Sequence, residues 1–228
     1  MKFDQATSIW RSEEVGLIKQ EWGRDFKGKK VLDLGCGEGE VAREAMGFKL
    51  EWGLDNDQEM VRKAKRSGVY KKVILGEAGK IPLKDNQVEL VFSNSVLEHI
   101  CHLTETLKEV SRVLKKGGLL IATMPSDQLV SYLAWGKIYG WLFNKKYQHY
   151  HLYSVSQWTE LLREVGLELL DSYYYLDQET IKRWHRCLWL NKLGLKHDYS
   201  PKQKMKRQTV GAGIAIKARR VRQRMDTV

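Results

Sequence analysis

The stretch Lys30-Val-Leu-Asp-Leu-Gly-Cys-Gly-Glu-Gly-Glu40 constrains this chain more than any other, because an apolar run passes straight into a turn with glycine at every second position. Val31, Leu32 and Leu34 form the short apolar run of a strand buried on both faces. Gly35, Gly37 and Gly39 let the backbone turn sharply and approach a ligand closely, and the helix that follows opens with unpaired N–H groups. The stretch reads as a cradle for a cofactor, although a plain strand-to-helix connection would use glycines in the same way. Its spacing, Asp-x-Gly-x-Gly-x-Gly, departs from the dinucleotide fingerprint, whose third glycine would fall on Glu40, and it lacks the Lys-Ser/Thr pair of a phosphate-gripping loop.

The next apolar run, Leu50-Glu-Trp-Gly-Leu-Asp55, ends in an acid twenty residues beyond Gly35. At that separation a βαβ unit sets a carboxylate opposite the first turn, where it can hold vicinal ribose hydroxyls. A ribose-containing ligand is implied. With both stretches in view, the chain resembles the class I S-adenosylmethionine-dependent methyltransferases through their motif I and motif II acid. It looks most like the small type-11 group that includes the ubiquinone/menaquinone C-methyltransferases. The resemblance covers about residues 28–175 and a last strand. It implies an α/β fold: a doubly wound, seven-stranded Rossmann-like sheet with helices on both faces and strand seven antiparallel between strands five and six.

It also implies site residues. Gly35, Cys36, Gly37 and Gly39 would meet the methionine carboxylate of S-adenosylmethionine, and Asp33 would lie near its ammonium. Asp55 would accept the ribose hydroxyls, Leu54 and Asn56 would border the adenine, and Glu77-Ala78 would read the adenine edge. Glu77 stands where aspartate is more usual, and a solvated loop acid is its other reading. A fourth strand, Val88 to Ser93, runs into Asn94-Ser-Val-Leu-Glu-His-Ile100. An open α/β sheet presents its ligand crevice at the carboxyl ends of its strands, so Asn94 and Ser95 should face the methyl donor. His99 can orient an acceptor or act as a base, or it can simply brace the loop. Similar ubiquinone O-methyltransferases hold a metal with Glu-x-x-Glu-His; Ser95 occupies the first glutamate's place here, so no metal is expected.

The remaining strands are read at Val73–Glu77, Leu119–Met124, Gly166–Tyr175 and Gly211–Ala218, with helices at Glu40–Met46, Gln58–Ser67, Leu103–Lys115 and around Trp158–Val165. Residues 1–27 suggest a lid or an ordinary packing helix, with Val15, Leu17, Ile18 and Trp22 near helical spacing from Glu13 and with Phe3, Ile9 and Trp10 in a mobile part. An apolar insertion at about 128–153 carries Trp135 and Tyr139, and Lys137 is the single charge between Leu129 and Phe143. It is too short to span a bilayer, and suits a lid over an apolar substrate, an interfacial segment or a cover for the sheet edge. Trp135, Tyr139 and His149 are the acceptor-side candidates there; His151 joins His99 as a candidate base, though two histidines one residue apart on a loop also suit a structural role.

A basic insertion at about 176–210 has Ile181, Trp184 and Leu188 at helical spacing, Lys182, Arg183 and Arg186 beside them, then a polybasic run from Lys202 to Arg207. That pattern fits an interfacial helix on an anionic membrane, or a solvated basic helix resting its tryptophan on the core. Residues 180–224 hold fourteen Lys/Arg and one acid, so this end carries +13 and the rest of the chain about −2 of the net +11. A near-neutral body with a basic end suggests docking to an anionic partner, either a membrane surface through 181–207 or, less readily, nucleic acid.

At 228 residues the chain suits one α/β domain, residues 1–228, with these insertions. Cys36, Cys101 and Cys187 make no C-x-x-C pair, which suggests a reducing, cytoplasmic setting, with the chain peripheral on the inner membrane surface if the basic end docks there. Met1 is not followed by an apolar signal segment, so no signal peptide is expected. The function expected is methyl transfer from S-adenosylmethionine to a small, apolar or membrane-derived acceptor. An RNA or protein methyltransferase using the basic end is a second reading, weakened because no RNA-binding module or Asn/Asp-Pro-Pro-Tyr motif is present. A non-catalytic cofactor-binding scaffold is a third, against which the intact glycines and Asp55 argue.

Overall fold

The short apolar runs pair into one twisted sheet, seen in a computed structural model that describes residues 5–133, 136–194 and 206–221. Strand β1 (Val31–Leu34) is buried along its whole length and pairs in parallel with β2 (Leu50–Asp55) and β4 (Val88–Asn94). Beyond β2 lies β3 (Tyr70–Leu75), and beyond β4 lies β5 (Leu114–Pro125), both parallel to their neighbours. Strand β7 (Gly213–Arg220) inserts antiparallel between β5 and β6 (Leu167–Tyr175), giving the order β3-β2-β1-β4-β5-β7-β6. This is the doubly wound, seven-stranded arrangement that the sequence implied. Strand order reverses between β1 and β4, so a crevice opens there, outside the carboxyl ends of the strands.

Alternation along the strands sends side chains into two cores. Val31, Phe92, Ile121 and Ala215 face one side, under helices α1 (Gln5–Trp22), α2 (Glu40–Met46) and α3 (Gln58–Ser67). Leu32, Val91, Leu120 and Ile216 face the other, under α4 (Leu103–Val113). Among the described residues four more α-helices follow: α5 (Leu129–Tyr132), α6 (Gly136–Tyr147), α7 (Val155–Glu164) and α8 (Gln178–Lys192). Helix α7 starts at a capping box in which Ser154 and Gln157 satisfy each other's backbone N–H, and it buries Trp158 and Leu162.

Several expectations shift. Helix α1 begins at Gln5 rather than Glu13, and Ile9 and Trp10 are buried in its packing face. Burying Ile9, Leu17, Ile18 and Trp22 contributes roughly 1.5–3 kcal/mol apiece, enough to fasten this helix to the sheet. Helix α4 stops at Val113, and β5 starts at Leu114, pairing with Val88 before an irregularity lets Leu119 meet Leu90. The turn at Gly117-Gly118 is thus a kink inside the strand. Strand β3 starts three residues earlier than expected, at Tyr70.

The basic insertion packs inward. Ile181 and Trp184 of α8 are buried, with Trp184 lying 5.4 Å from the Trp10 ring and 5.8 Å from that of Phe143. Trp184 is therefore core, which corrects its reading as an interfacial anchor. Arg207 is also taken up by the fold. Its guanidinium pairs with both oxygens of Asp171 and with Glu21, and it lies over the Tyr173 ring. Residues 202–205 of the polybasic run and Phe3 fall outside the described residues.

Candidate active site

The glycine turn is held in place by one carbonyl. Gly35 and Cys36 both donate their N–H to the Leu54 oxygen, at 2.8 and 3.0 Å, which ties the turn to the end of β2. Gly35 has φ +74°, and a Cβ there would come within 2.2 Å of Val96, so both backbone and space require glycine. Gly37, at φ +50°, would place a Cβ in open space. Bare backbone therefore faces a cleft of about 940 Å³ at the carboxyl edge of the sheet.

Two acids stand on either side of this turn. Asp33, at the end of β1, is almost fully buried and accepts a hydrogen bond from the Tyr70 hydroxyl at 2.5 Å. Burial pushes its carboxyl up to about 7, the Tyr70 bond pulling down and the Asp55 charge adding to the rise. A cation set beside Asp33 would restore its charge. Asp55 accepts N–H bonds from Gly37 on one oxygen at 2.8 Å and from Asp57 on the other at 3.0 Å. Those bonds fix the carboxylate plane and leave each oxygen a lone pair for a diol. Asn56, Met60, Glu77 and Ala78 continue the same wall. An amino-acid ammonium, a ribose and a flat base thus each meet a suitable group here, and the donor set fits S-adenosylmethionine.

The opposite wall comes from the end of β4 and from α1. The Asn94 amide donates to Thr123 Oγ1 at 2.6 Å, while its oxygen and the Ser95 hydroxyl accept from Arg11 at 2.5 and 2.9 Å. Ser95 sits at φ +50°, a strained conformation for a residue with a Cβ. Arg11 also donates to Glu14, which accepts the Tyr175 hydroxyl at 2.6 Å. Burial opposes the charge on Arg11, yet Glu14 and its neighbours hold the guanidinium above its ordinary range. Nearby Glu98 is buried, with one oxygen lacking a protein partner, and burial pushes its carboxyl up to about 8.

The histidines divide. His99 lines the cleft, but its Nδ1 donates to the Gln148 carbonyl at 3.2 Å and its Nε2 lies 3.6 Å from Glu98, so neither nitrogen is simply open to the cleft. Burial lowers its pKa. His149 lies behind it, 5.2 Å ring to ring, and burial together with the charge on His99 takes it down to about 4. His151 is not among the residues lining the cleft; one ring nitrogen meets the Ile100 carbonyl and the other the Tyr153 hydroxyl, both at 2.9 Å. That arrangement corrects its reading as a base, because both nitrogens are spent bracing the loop. Tyr139 likewise lies away from the cleft, its hydroxyl 2.7 Å from His185 Nε2, and Trp135 falls outside the described residues.

Asp33, Gly35, Cys36, Gly37, Gly39, Asp55, Asn56, Glu77, Ala78, Asn94, Ser95 and His99 all line one cleft. Arg11 joins them without having been singled out from the sequence. A signal was present: Arg11, Val15, Ile18 and Trp22 follow one another at helical spacing, so an arginine interrupts an otherwise apolar face.

A family model described as a methyltransferase domain matches residues 32–122. A malonyl-[acyl-carrier protein] O-methyltransferase of Hamiltonella defensa is 31% identical over 140 residues, or 60% of this chain and 53% of the relative, so the chain spans about half that relative's length. A demethylmenaquinone methyltransferase of Bacillus pumilus is 29% identical over 65% of this chain and 72% of its own length. Among solved structures, a SAM-dependent methyltransferase of Thermotoga maritima superposes with a TM-score of 0.68 at 22% identity, covering 94% of this chain and 91% of its own, which supports the fold.

Proposed function

We propose that the chain is an S-adenosylmethionine-dependent methyltransferase that methylates a small, apolar acceptor. The observation that carries this reading is the contrast between the two sides of the cleft. One wall holds Asp33, Asp55 and Glu77; the other carries Arg11, Asn94 and Ser95 and then passes to His99, Ile100 and Cys101, with the rings of His149, Phe143 and Trp184 behind His99. When bound, the cofactor supplies an electrophilic methyl group. The chain's own residues then have to bind, orient and exclude water. Asp55 and the glycine turn would hold the cofactor, Asp33 would face its ammonium, and Asn94, pinned between Thr123 and Arg11, would border the reacting end.

One relative is named for demethylmenaquinone and another for a malonyl group on acyl-carrier protein, which makes quinols and acyl acids the first acceptors to screen. The reading of 181–207 as a contact for an anionic partner is narrowed by the inward packing of Trp184 and the ion pairs of Arg207. The test is calorimetric titration with S-adenosylmethionine and S-adenosylhomocysteine, followed by mass spectrometry of incubations with each acceptor class. Binding plus an acceptor heavier by one CH₂ supports the proposal. Binding with turnover only on RNA or protein would overturn the acceptor class, and failure to bind either compound would overturn the whole reading.

A further inference from the structure

The helices that carry the aromatic shell behind the acceptor wall also hold large apolar side chains out in the open. On α6, Trp141 is 60% exposed and Leu142 is 52% exposed; at the end of α8, Leu193 is 69% exposed and Trp189 is 38% exposed. The two helices are joined: the Tyr139 hydroxyl reaches His185, and the Phe143 ring meets Trp184 edge-on at 5.8 Å. Scattered single apolar residues on a surface need no explanation, but two tryptophans and two leucines exposed on two helices that pack together do.

The charge of this pair has one sign. Residues 128–153 carry three lysines and no acid, and residues 178–193 carry four Lys/Arg against Glu179 alone. Lys145 reaches over the Trp141 ring at 5.2 Å and Lys146 over the Tyr147 ring at 5.4 Å, so cations sit beside the exposed rings. Tryptophan and leucine flanked by lysine suit the headgroup region of an anionic bilayer, where rings lie at the boundary and ammonium groups meet phosphate. Among the described residues no helix is long and apolar enough to cross a membrane, so the contact would be interfacial.

We propose that the outer face of the α6–α8 pair docks the protein on an anionic lipid surface, with Trp141, Leu142, Trp189 and Leu193 entering the interface and Lys145 and Lys146 pairing with lipid phosphates. This differs from a basic helix lying flat through Ile181 and Trp184, which the core has claimed. Docking also has a consequence for the cleft. The Tyr147 ring stacks on His149 at 6.1 Å, and His149 stands behind His99 of the cleft wall. The docked face is thus coupled through three rings to the side where an acceptor would sit. Supply of an apolar acceptor from the bilayer rests on the proposed methyl transfer; docking itself does not.

The experiment is co-sedimentation of the whole chain with vesicles of phosphatidylcholine alone and of phosphatidylcholine with phosphatidylglycerol, at low and high salt. Binding should require the anionic lipid and weaken with salt. Trp141→Ala with Leu142→Ala should lower vesicle affinity about tenfold or more, and so should Trp189→Ala with Leu193→Ala. Lys145→Glu and Lys146→Glu should each cost about fivefold. Brominated lipid should quench tryptophan fluorescence in wild type and less in Trp141→Ala. Melting curves and calorimetric cofactor titrations on every variant keep folding and the site separate from docking, because all four apolar positions lie away from the cleft lining. Absence of vesicle binding overturns the proposal. So does binding that the apolar substitutions leave unchanged, or a dimer in sedimentation velocity that Trp141→Ala dissolves while vesicles fail to bind. A chain that binds vesicles but not S-adenosylmethionine would leave docking standing and sink the methyltransferase reading instead.

Discussion

The two walls of the cleft are built by different means. The cofactor wall is made of backbone and strand ends: Gly35, Gly37, Asp33 and Asp55 lie within 23 residues of one another, and their geometry follows from glycine conformation and the βαβ crossover. The acceptor wall is assembled from side chains far apart in the chain. Tyr175 reaches Glu14 across 161 positions, Arg11 reaches Asn94 across 83, and the shell behind them joins α1, α6 and α8. The first wall is fixed by local rules and tolerates little change. The second depends on tertiary packing between segments remote in the chain.

The largest effect should come from the local wall. Gly35→Ala adds a Cβ 2.2 Å from Val96 at a positive φ, and strain plus clash should destabilise the fold by roughly 3–6 kcal/mol. Gly37→Ala, with open space around its Cβ, should cost only about 1 kcal/mol of stability yet sharply weaken cofactor binding. Urea denaturation beside calorimetric titration checks the pair; equal stability losses at the two glycines would break the distinction between a clash and a bare cradle.

Next in size is the acceptor wall. Arg11→Met leaves Glu14 buried with only the Tyr175 hydroxyl, and uncompensated burial of that kind costs about 3–5 kcal/mol. Adding Glu14→Gln should recover part of the loss, since the buried charge goes with its partner. If the two losses simply add in denaturation experiments, the acceptor wall is not the interlocked network described here.

What could be read from the sequence follows the same division. The glycine turn, most of the strands and the acid at position 55 are legible because each obeys a short-range rule, whether apolar run, positive-φ glycine or crossover length, whereas the strand order and the place of Asp33 followed from the family resemblance. Arg11 escaped because its role depends on where α1 crosses the sheet, although its place on an apolar face was visible. His151 misled because a histidine's chemistry is decided by what its two nitrogens meet, and both meet protein. Trp184 and Trp141 show the same limit in the α8–α6 pair: each lies in a basic, aromatic segment, and only packing decides which faces the core and which faces out.

The response to pH also separates the walls, by its sign. Burial holds the Asp33 carboxyl at about 7, above its unfolded value near 3.9, so the folded state binds this proton more tightly. Stability from Asp33 is present below that unfolded value and is lost as pH rises through about 7. The half-buried His149 runs the other way. His149 is lowered to about 4, so the unfolded chain takes up its proton first and stability falls as pH drops below about 6.5. Asp33→Asn should therefore gain roughly 2–4 kcal/mol over wild type above pH 8 and converge with it near pH 4, in urea titrations across pH. S-adenosylhomocysteine should shrink the gain, because its ammonium would favour the charged carboxylate in wild type and find only an amide in the variant. A difference that does not vary with pH, or one the ligand leaves untouched, would mean that Asp33 is not the strained acid of the cofactor wall.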